Sequence, residues 1–342
     1  MGPVTGRDQV GNMDATTMMR AVEYRRYGPP EVLTSTTVPR PVPRDDEVLI
    51  RVRVTTATAA DGLMRRGETL QGRLVIGLFG PRRRFRVMGI EIAGDVEQVG
   101  SAVTRFAPGD RVLGFTGFRL GGYAEYCCLK ETASLTTIPD GLGYEEAVAL
   151  VDGVTTAIFF FDMADLKPGE RVLIIGASGS IGSAAVQVAA ARGAEVTGLC
   201  SGKNRALVES LGARDVIDYT LEDYAETGRT WDVIFDTVTK STFGHARRVL
   251  REGGRYLPTV GGGWSFLRSA WSRRFEGKKL VFGMSVNKHA ELEQLKELVA
   301  EGAVRPVIDR RYPLEQLALA HAYVDTGHKR GNVVIQVDPS PA

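Results

Sequence analysis

The stretch "RVLIIGASGSIGSAAVQVAA" (Arg171–Ala190) runs from an apolar segment through a glycine turn into an alanine-rich segment. A glycine pattern alone is a weak signal. Placed after an apolar strand and at the opening of a helix, it reads as a dinucleotide fingerprint. Ala177, Gly179 and Gly182 form an A-x-G-x-x-G arrangement, with Gly176 just before it. Gly179 lets the backbone approach a pyrophosphate, and Gly182 lets helix and strand pack closely. The helix start offers unpaired N–H groups and the positive end of a dipole. Ser178, Ser180 and Ile181 complete the expected cradle. A glycine turn without a ligand is the competing reading, and the flanking pattern weighs against it.

The next strand decides the nucleotide. An NAD site places an acid about twenty residues on, to bond the ribose 2′-hydroxyl. Here "GLCSGKNRA" (Gly198–Ala206) presents Ser201, Lys203 and Arg205, and no acid comes before Glu209. A 2′-phosphate needs hydroxyls and cations, and a carboxylate repels it. The expected cofactor is NADPH. A solvated basic turn is the bland alternative.

Upstream, "EVLIRVRV" (Glu47–Val54), "AGDVEQVG" (Ala93–Gly100), "GDRVLGF" (Gly109–Phe115) and "GGYAEYCCL" (Gly121–Leu129) read as short strands. Turn clusters such as "YGPPEV" (Tyr27–Val32) separate them, which predicts a compact β-rich domain. From about Tyr144, strands and helices alternate, as in βαβ units on a parallel sheet. The fold class is therefore α/β, and 342 residues suit two domains. Two amphipathic helices and a closing strand "GNVVIQV" (Gly331–Val337) end the chain.

With 43 basic and 41 acidic residues, the net charge of +2 is too mild to argue for nucleic acid. No run approaches the ~18 consecutive apolar residues of a membrane span. Residues 1–17 carry no apolar secretory core and read as a loose tail. Cys127, Cys128 and Cys200 cannot form a closed disulfide set, which fits free thiols in a reducing cytoplasm. The four histidines show no metal-like pairing.

Six segments in order carry a family resemblance: "RRYGPPEVL" (Arg25–Leu33), "GIEIAGDVEQVGSAVTRFAPGDRVLGF" (Gly89–Phe115), "GGYAEY" (Gly121–Tyr126), "GASGSIG" (Gly176–Gly182), "VIDYT" (Val216–Thr220) and "GHKRGNVVIQV" (Gly327–Val337). From Met19 on, the chain resembles the medium-chain dehydrogenase/reductases, in their zinc-free quinone-oxidoreductase-like branch. The resemblance implies a GroES-like catalytic domain from residues 18–145 and 286–342. A Rossmann NADPH-binding domain, 146–285, would interrupt it. It implies that Tyr219 lies near the adenosine end with Ser201, Lys203 and Arg205. Thr155, Val260, Lys329 and Arg330 would be further cofactor contacts. It also implies a homodimer, joined through "KLVFGMSV" (Lys279–Val286) at the edge of the Rossmann sheet.

Departures from zinc-dependent relatives bear on the chemistry. "TATAAD" (Thr56–Asp61) stands where those relatives carry a cysteine, and Ile90 stands where they carry a histidine. Asp152 matches a third ligand position, but a lone carboxylate cannot hold tetrahedral zinc. "GFTGFRLGGYAEY" (Gly114–Tyr126) lacks the four-cysteine structural lobe. No metal is expected, and Glu91 is expected to be a buried structural carboxylate.

A hydride site without metal suits quinones and α,β-unsaturated carbonyls, whose developing enolate needs only hydrogen-bond donors and a proton. The resemblance points to Thr58, Asp61 and Tyr123 as catalytic candidates. Thr58 would polarise a carbonyl, although relatives have an asparagine there. Asp61 is either the pattern's acid or a helix N-cap. Tyr123 is a proton donor or a core aromatic.

Two segments are particular to this chain. "GPRRRFRV" (Gly80–Val87) is a solvated loop or a patch steering an anionic, carrier-bound or coenzyme A-bound substrate. In "GGGWSFLRSAWSRRFEGKK" (Gly261–Lys279), Trp264, Phe266, Trp271 and Phe275 form an apolar substrate wall or a subunit contact. A zinc alcohol dehydrogenase and a non-catalytic, nucleotide-binding tethering protein are the alternative functions.

Overall fold

The computed structural model describes residues 18–261, 265, 268–269, 271–272 and 277–338. The tail 1–17 and Trp264, Phe266 and Phe275 lie outside the described residues. Strands β1 (Met18–Glu23), β2 (Thr34–Pro39) and β3 (Glu47–Thr56) lead to helices α1 (Ala59–Arg66) and α2 (Leu70–Ile76). Strands β4 (Glu91–Val99), β5 (Arg111–Phe115), β6 (Tyr126–Lys130) and β7 (Ser134–Thr137) follow, then helices α3 (Tyr144–Val148) and α4 (Val151–Ala164). Alternation begins there, with β8 (Arg171–Ile175), α5 (Ser180–Ala191), β9 (Glu195–Cys200), α6 (Arg205–Ser210) and β10 (Asp215–Asp218). It continues with β11 (Trp231–Asp236), α7 (Phe243–Ala246), β12 (Leu250–Pro258) and β13 (Lys279–Leu280). Helix α8 (His289–Ala300), β14 (Ile308–Pro313), α9 (Leu317–Asp325) and β15 (Asn332–Gln336) close the described chain.

Apart from the two-stranded antiparallel pair β1-β2, two sheets organise these elements. One is six-stranded and parallel, in the order β10-β9-β8-β11-β12-β13. This is the doubly wound dinucleotide-binding order, whose direction of winding reverses between β8 and β11. The other has seven strands in the order β14-β15-β3-β4-β5-β7, with β6 also paired to β3. Antiparallel pairing of Val334 with Thr56 and of Ile335 with Thr55 brings the C-terminal strand β15 into this seven-stranded sheet.

Helix α4 explains why the sheets stay together. Val151, Val154, Ala157, Ile158, Phe160 and Phe161 are buried around most of its circumference, against α5 on one side and the seven-stranded sheet on the other. A helix apolar all round belongs in a core. The run Tyr144–Ala164 is long and apolar enough to cross a membrane, which a search for consecutive apolar residues missed because acids interrupt it. Yet 78% of its most apolar 18-residue stretch is buried inside the protein.

Past residue 286 the chain packs on both sheets: the Lys288 amide donates to Ser134 Oγ at 2.8 Å and Thr136 Oγ1 donates to Glu293 Oε1 at 2.8 Å, with Ser134 and Thr136 both on β7. Helix α8 buries Leu292 and Leu295 in the cluster that holds Val154, Ile158 and Phe161. The chain enters the ladder of the seven-stranded sheet at β14. At the expected edge strand, ladder pairing covers Lys279 and Leu280, and β13 is the sheet's outer strand.

Candidate active site

The cradle forms where β8 ends at the reversal point. Gly176 turns the chain at φ 79°, in the left-handed region glycine favours. A Cβ on Gly182 would stand 2.0 Å from the Gly176 carbonyl oxygen, so helix and strand could not approach as they do. Gly179 caps α5 without a side chain, leaving the first N–H groups of that helix for a ligand. On the far side, the Gly331 amide donates to the Ser178 carbonyl at 2.8 Å and ties the C-terminal segment to the cradle.

Two lobes open from this point. The first, about 760 Å³, is lined by Ser178, Gly179, Ser201, Lys203, Asn204, Tyr219, Lys240 and Lys329. Asn204 Nδ2 donates to Ser178 Oγ at 3.0 Å and to Ser201 Oγ at 3.3 Å, while its Oδ1 is buried without a partner. A cradle of bare amides, an orphaned acceptor and three lysines suit the sugar and phosphates of a nucleotide. Asp218, at the end of β10, spends one oxygen on the Thr220 amide at 2.9 Å and hydroxyl at 2.7 Å.

The second lobe, about 470 Å³, is mostly apolar, with Leu63, Met64, Ile90, Phe115, Phe118 and Phe160 among its walls. Its polar border holds Thr58, Asp152, Thr156, Ser180, Lys288 and Lys329. The Lys288 ammonium, with its side chain 1% exposed, donates to Asp152 Oδ1 at 2.7 Å, Thr156 Oγ1 at 2.8 Å and Thr155 Oγ1 at 3.0 Å. It also stands 4.6 Å from the centre of the Phe115 ring. Burial would raise the Asp152 carboxyl, but the adjacent ammonium holds it below the usual carboxylate range. Behind it, burial and the Asp152 charge push Glu91 up to about 8. Glu91 accepts from the Asp152 amide at 2.7 Å and from the Thr56 hydroxyl, so it joins α4 to β4. Burial lowers Lys329 to about 8, against the pull of Glu91, Asp309 and Asp152.

Of the expected catalytic residues, only Thr58 reaches the cleft. It is the N-cap of α1, and its hydroxyl donates to Asp61 Oδ2 at 2.6 Å while accepting from the Asp61 amide. That hydrogen is not free to polarise a carbonyl. Asp61 is the third helical residue and the reciprocal half of a capping box, not the N-cap. It is fully buried, which raises it to about 6 despite its bonds to Thr58. Tyr123 is 0% exposed, its hydroxyl 3.0 Å from His321 Nε2 and 3.2 Å from the Thr56 carbonyl. A phenol sealed in this way does not meet a substrate.

The cofactor set divides similarly. Ser178, Gly179, Ser201, Lys203, Tyr219 and Lys329 line the polar lobe, and Ser180, Ile181 and Val260 line the apolar one. Ala177 is buried beneath the loop, and Gly182 serves packing. Thr155 turns inward, donating to the Val151 carbonyl at 2.6 Å, and Thr156 faces the cleft instead. Arg205 points back to the sheet, donating to the Val216 carbonyl at 2.6 Å and pairing with Glu209 at 3.3 Å. Arg330 lines neither lobe; its amide donates to Asp309 at 2.8 Å. Trp271 and the arginines of 82–86 are likewise absent from both linings.

Sequence reasoning missed Lys288, Thr156 and Asn204. Lys288 sits alone before α8, in "SVNKHAEL" (Ser285–Leu292), with no repeat or spacing to mark it. Asp152 offered a signal, because a carboxylate without its zinc partners needs another cation.

Comparison with known proteins agrees with this architecture. Residues 44–140 match the alcohol dehydrogenase GroES-like domain, and residues 211–335 match the zinc-binding dehydrogenase family. The chain is 30% identical to a chloroplastic quinone-oxidoreductase homolog of Spinacia oleracea, over 94% of this chain and 99% of that one. It is also 30% identical to the quinone oxidoreductase of Pseudomonas aeruginosa, over 93% and 99%. The solved quinone oxidoreductase of Coxiella burnetii superposes with a TM-score of 0.85 at 27% identity, covering 94% of this chain and 100% of that one.

The fold and site define an oxidoreductase that combines a GroES-like domain with a nicotinamide-nucleotide domain. The chain belongs to the medium-chain dehydrogenase/reductase superfamily, in its quinone-oxidoreductase-like branch. The metal in the matched family's description does not suit these residues. Among the described residues no three His, Cys, Asp or Glu side chains converge, and Asp152 is already neutralised by Lys288.

Proposed function

We propose that this protein is a zinc-independent, NADPH-dependent reductase of quinones or α,β-unsaturated carbonyl compounds. The observation that carries the proposal is an apolar lobe bordered, beside the cradle, by the Lys288–Asp152–Thr156 group where relatives would place a metal. Ser178, Gly179 and the free amides of α5 hold the pyrophosphate, while Ser201, Lys203 and Tyr219 take the adenosine end. Ser180, Ile181 and Val260 border the nicotinamide, and Lys329 lies at the junction of the two lobes. When bound, the nicotinamide supplies the hydride.

The protein's own groups manage the charge that results. A carbonyl oxygen entering the apolar lobe replaces the Thr156 hydroxyl on Lys288 Nζ, and the ammonium draws electron density to that oxygen. Asp152 and Thr155 keep Nζ in place. As the oxygen gains charge, Nζ gives it a proton, and solvent returns a proton to Nζ once the product has left the lobe. Phe115, Ile90 and Phe160 exclude water, which strengthens the ammonium's effect. The edge position of β13 supports a homodimer, which light scattering at micromolar concentration would reveal. Three free, buried thiols support a reducing cytoplasmic location.

The direct experiment follows NADPH and NADH consumption with a panel of quinones and enones, with and without a chelator. The expected result is turnover that favours NADPH and is unaffected by chelation. Silence across the panel, or zinc-dependent alcohol oxidation as the fast reaction, would overturn the reading.

A further inference from the structure

Helix α2 and the turn after it are built inside out. Leu70 is 67% exposed, Leu74 60%, Val75 48%, Leu78 45% and Phe79 94%. At 100° per residue the helical members of this set lie on one face, and that face points to solvent. The opposite face is anchored. Ile76 is buried, and Arg73 donates to the Gly67 carbonyl at 2.7 Å while stacking 4.9 Å from the Tyr27 ring.

The turn is held rigidly in this presentation. Tyr27 Oη donates to the Gly77 carbonyl at 2.5 Å, and the Arg82 amide donates to the Ile76 carbonyl at 2.8 Å. A Cβ on Gly77 would stand 1.9 Å from the Gly80 carbonyl, so only glycine allows the loop to close this tightly. Phe79 is therefore held out at the tip of a pinned turn. Phe85, 5% exposed, anchors the next segment and leaves Arg82, Arg83 and Arg84 exposed. None of the three has an ion pair among the described residues. Arg26, beside Gly80, adds another exposed cation.

We propose that this face docks on an anionic lipid bilayer. The combination is that of an interfacial anchor: apolar side chains that enter the acyl boundary, flanked by cations at headgroup height. Charge complementarity selects the occupant, because the uncompensated arginines call for phosphates and the protruding apolar tip calls for a hydrocarbon layer rather than a polar protein surface. The arginines line neither lobe of the cleft, so contact with a substrate bound there does not account for them. Docking stands on this surface alone. It would also bring the apolar lobe near lipophilic acceptors that dissolve in the bilayer.

The test is co-sedimentation of the purified full chain with vesicles of phosphatidylcholine containing about a third phosphatidylglycerol. Pure phosphatidylcholine vesicles and high salt serve as comparisons. The expected result is binding to the anionic vesicles that weakens in high salt. Replacing Arg82, Arg83 and Arg84 with glutamine should weaken it roughly a hundredfold. Leu74→Ser with Phe79→Ser should weaken it at least tenfold, with unchanged circular dichroism in both variants. Failure of wild type to sediment at millimolar lipid overturns the proposal. So does equal binding to neutral vesicles, or binding retained by both variants. Light scattering that finds a dimer broken by L74S/F79S, without vesicle binding, assigns the face to a second copy instead.

Discussion

Two buried polar clusters flank α1 and α4, and they differ in one respect that decides their chemistry. In the first, Lys288 is held by Asp152, Thr155 and Thr156, and the group borders the apolar lobe. In the second, Arg65 donates to His321 Nδ1 at 3.0 Å and pairs with Asp325 at 2.5 Å; His321 in turn meets Tyr123, and Asp61 lies alongside. Because Arg65 donates to Nδ1, the neutral imidazole carries its hydrogen on Nε2 and donates it to the Tyr123 hydroxyl. Burial lowers His321 to about 3, so it stays neutral across the physiological range. The second cluster contains the residue types of an acid–base site, yet Asp61, Arg65, Tyr123 and His321 are fully buried, with Asp325 at the solvent edge, and it joins α1 to α9. The first contains an ammonium and a carboxylate, which look like an ordinary ion pair, and it faces the cleft. Access to the cleft separates the group proposed to act on the substrate from a structural one here.

The largest expected effect tests the open cluster. Lys288→Met should lower kcat with a quinone by two to three decades, the usual cost of losing a preorganised electrostatic contact. It also strands Asp152, so Lys288→Met with Asp152→Asn should recover thermal stability without recovering turnover. Recovery of both would make the pair structural and erase the contrast between the clusters.

Next, Arg65→Met should cost about 3 kcal/mol of stability, because it leaves His321 Nδ1 without its donor and Asp325 with Arg66 alone. Denaturant unfolding measures the loss. At temperatures where the variant remains folded, its KM and kcat should match wild type, and a large fall in kcat would place the second cluster in the reaction.

A smaller effect is the pH dependence of Asp61. Its carboxyl has an ordinary value of 3.8 and is raised to about 6 by burial. Between those values the folded chain keeps a proton that the unfolded chain has lost. Stability from this group therefore falls as pH rises through the window, and stays lower above it. Wild type should lose about 2 kcal/mol more than Asp61→Asn between pH 4 and pH 7. Parallel stability curves for the two proteins would refute the assignment.

The smallest effect concerns the nucleotide. Lys203 is exposed, so solvent weakens its bond to a 2′-phosphate, and Lys203→Ala should reduce the preference for NADPH over NADH about five- to tenfold. Arg205→Ala should leave that ratio within twofold, since its guanidinium is committed to Val216 and Glu209. Titration of both cofactors against each variant gives the ratios.

The amino-acid sequence by itself determined the parallel sheet, the glycine cradle and the lack of a cysteine within Thr56–Asp61 and of a histidine at Ile90. Each is local: a strand–loop–helix pattern, a backbone position that only glycine allows, and a missing donor atom. Tertiary structure decided which polar side chains meet in the cleft. Lys288 and Asp152 lie on either side of the Rossmann sheet in sequence and meet only because α4 and the segment before α8 pack together. Thr155 and Thr156 have the same hydroxyl, and the 100° between neighbouring helical residues turns one inward and the other to the cleft. Tyr123 and Asp61 carry suitable chemistry but lie behind β3 and the start of α1, where burial removes them from any substrate. Orientation and access depend on packing between distant segments, and no pattern along the chain encodes them.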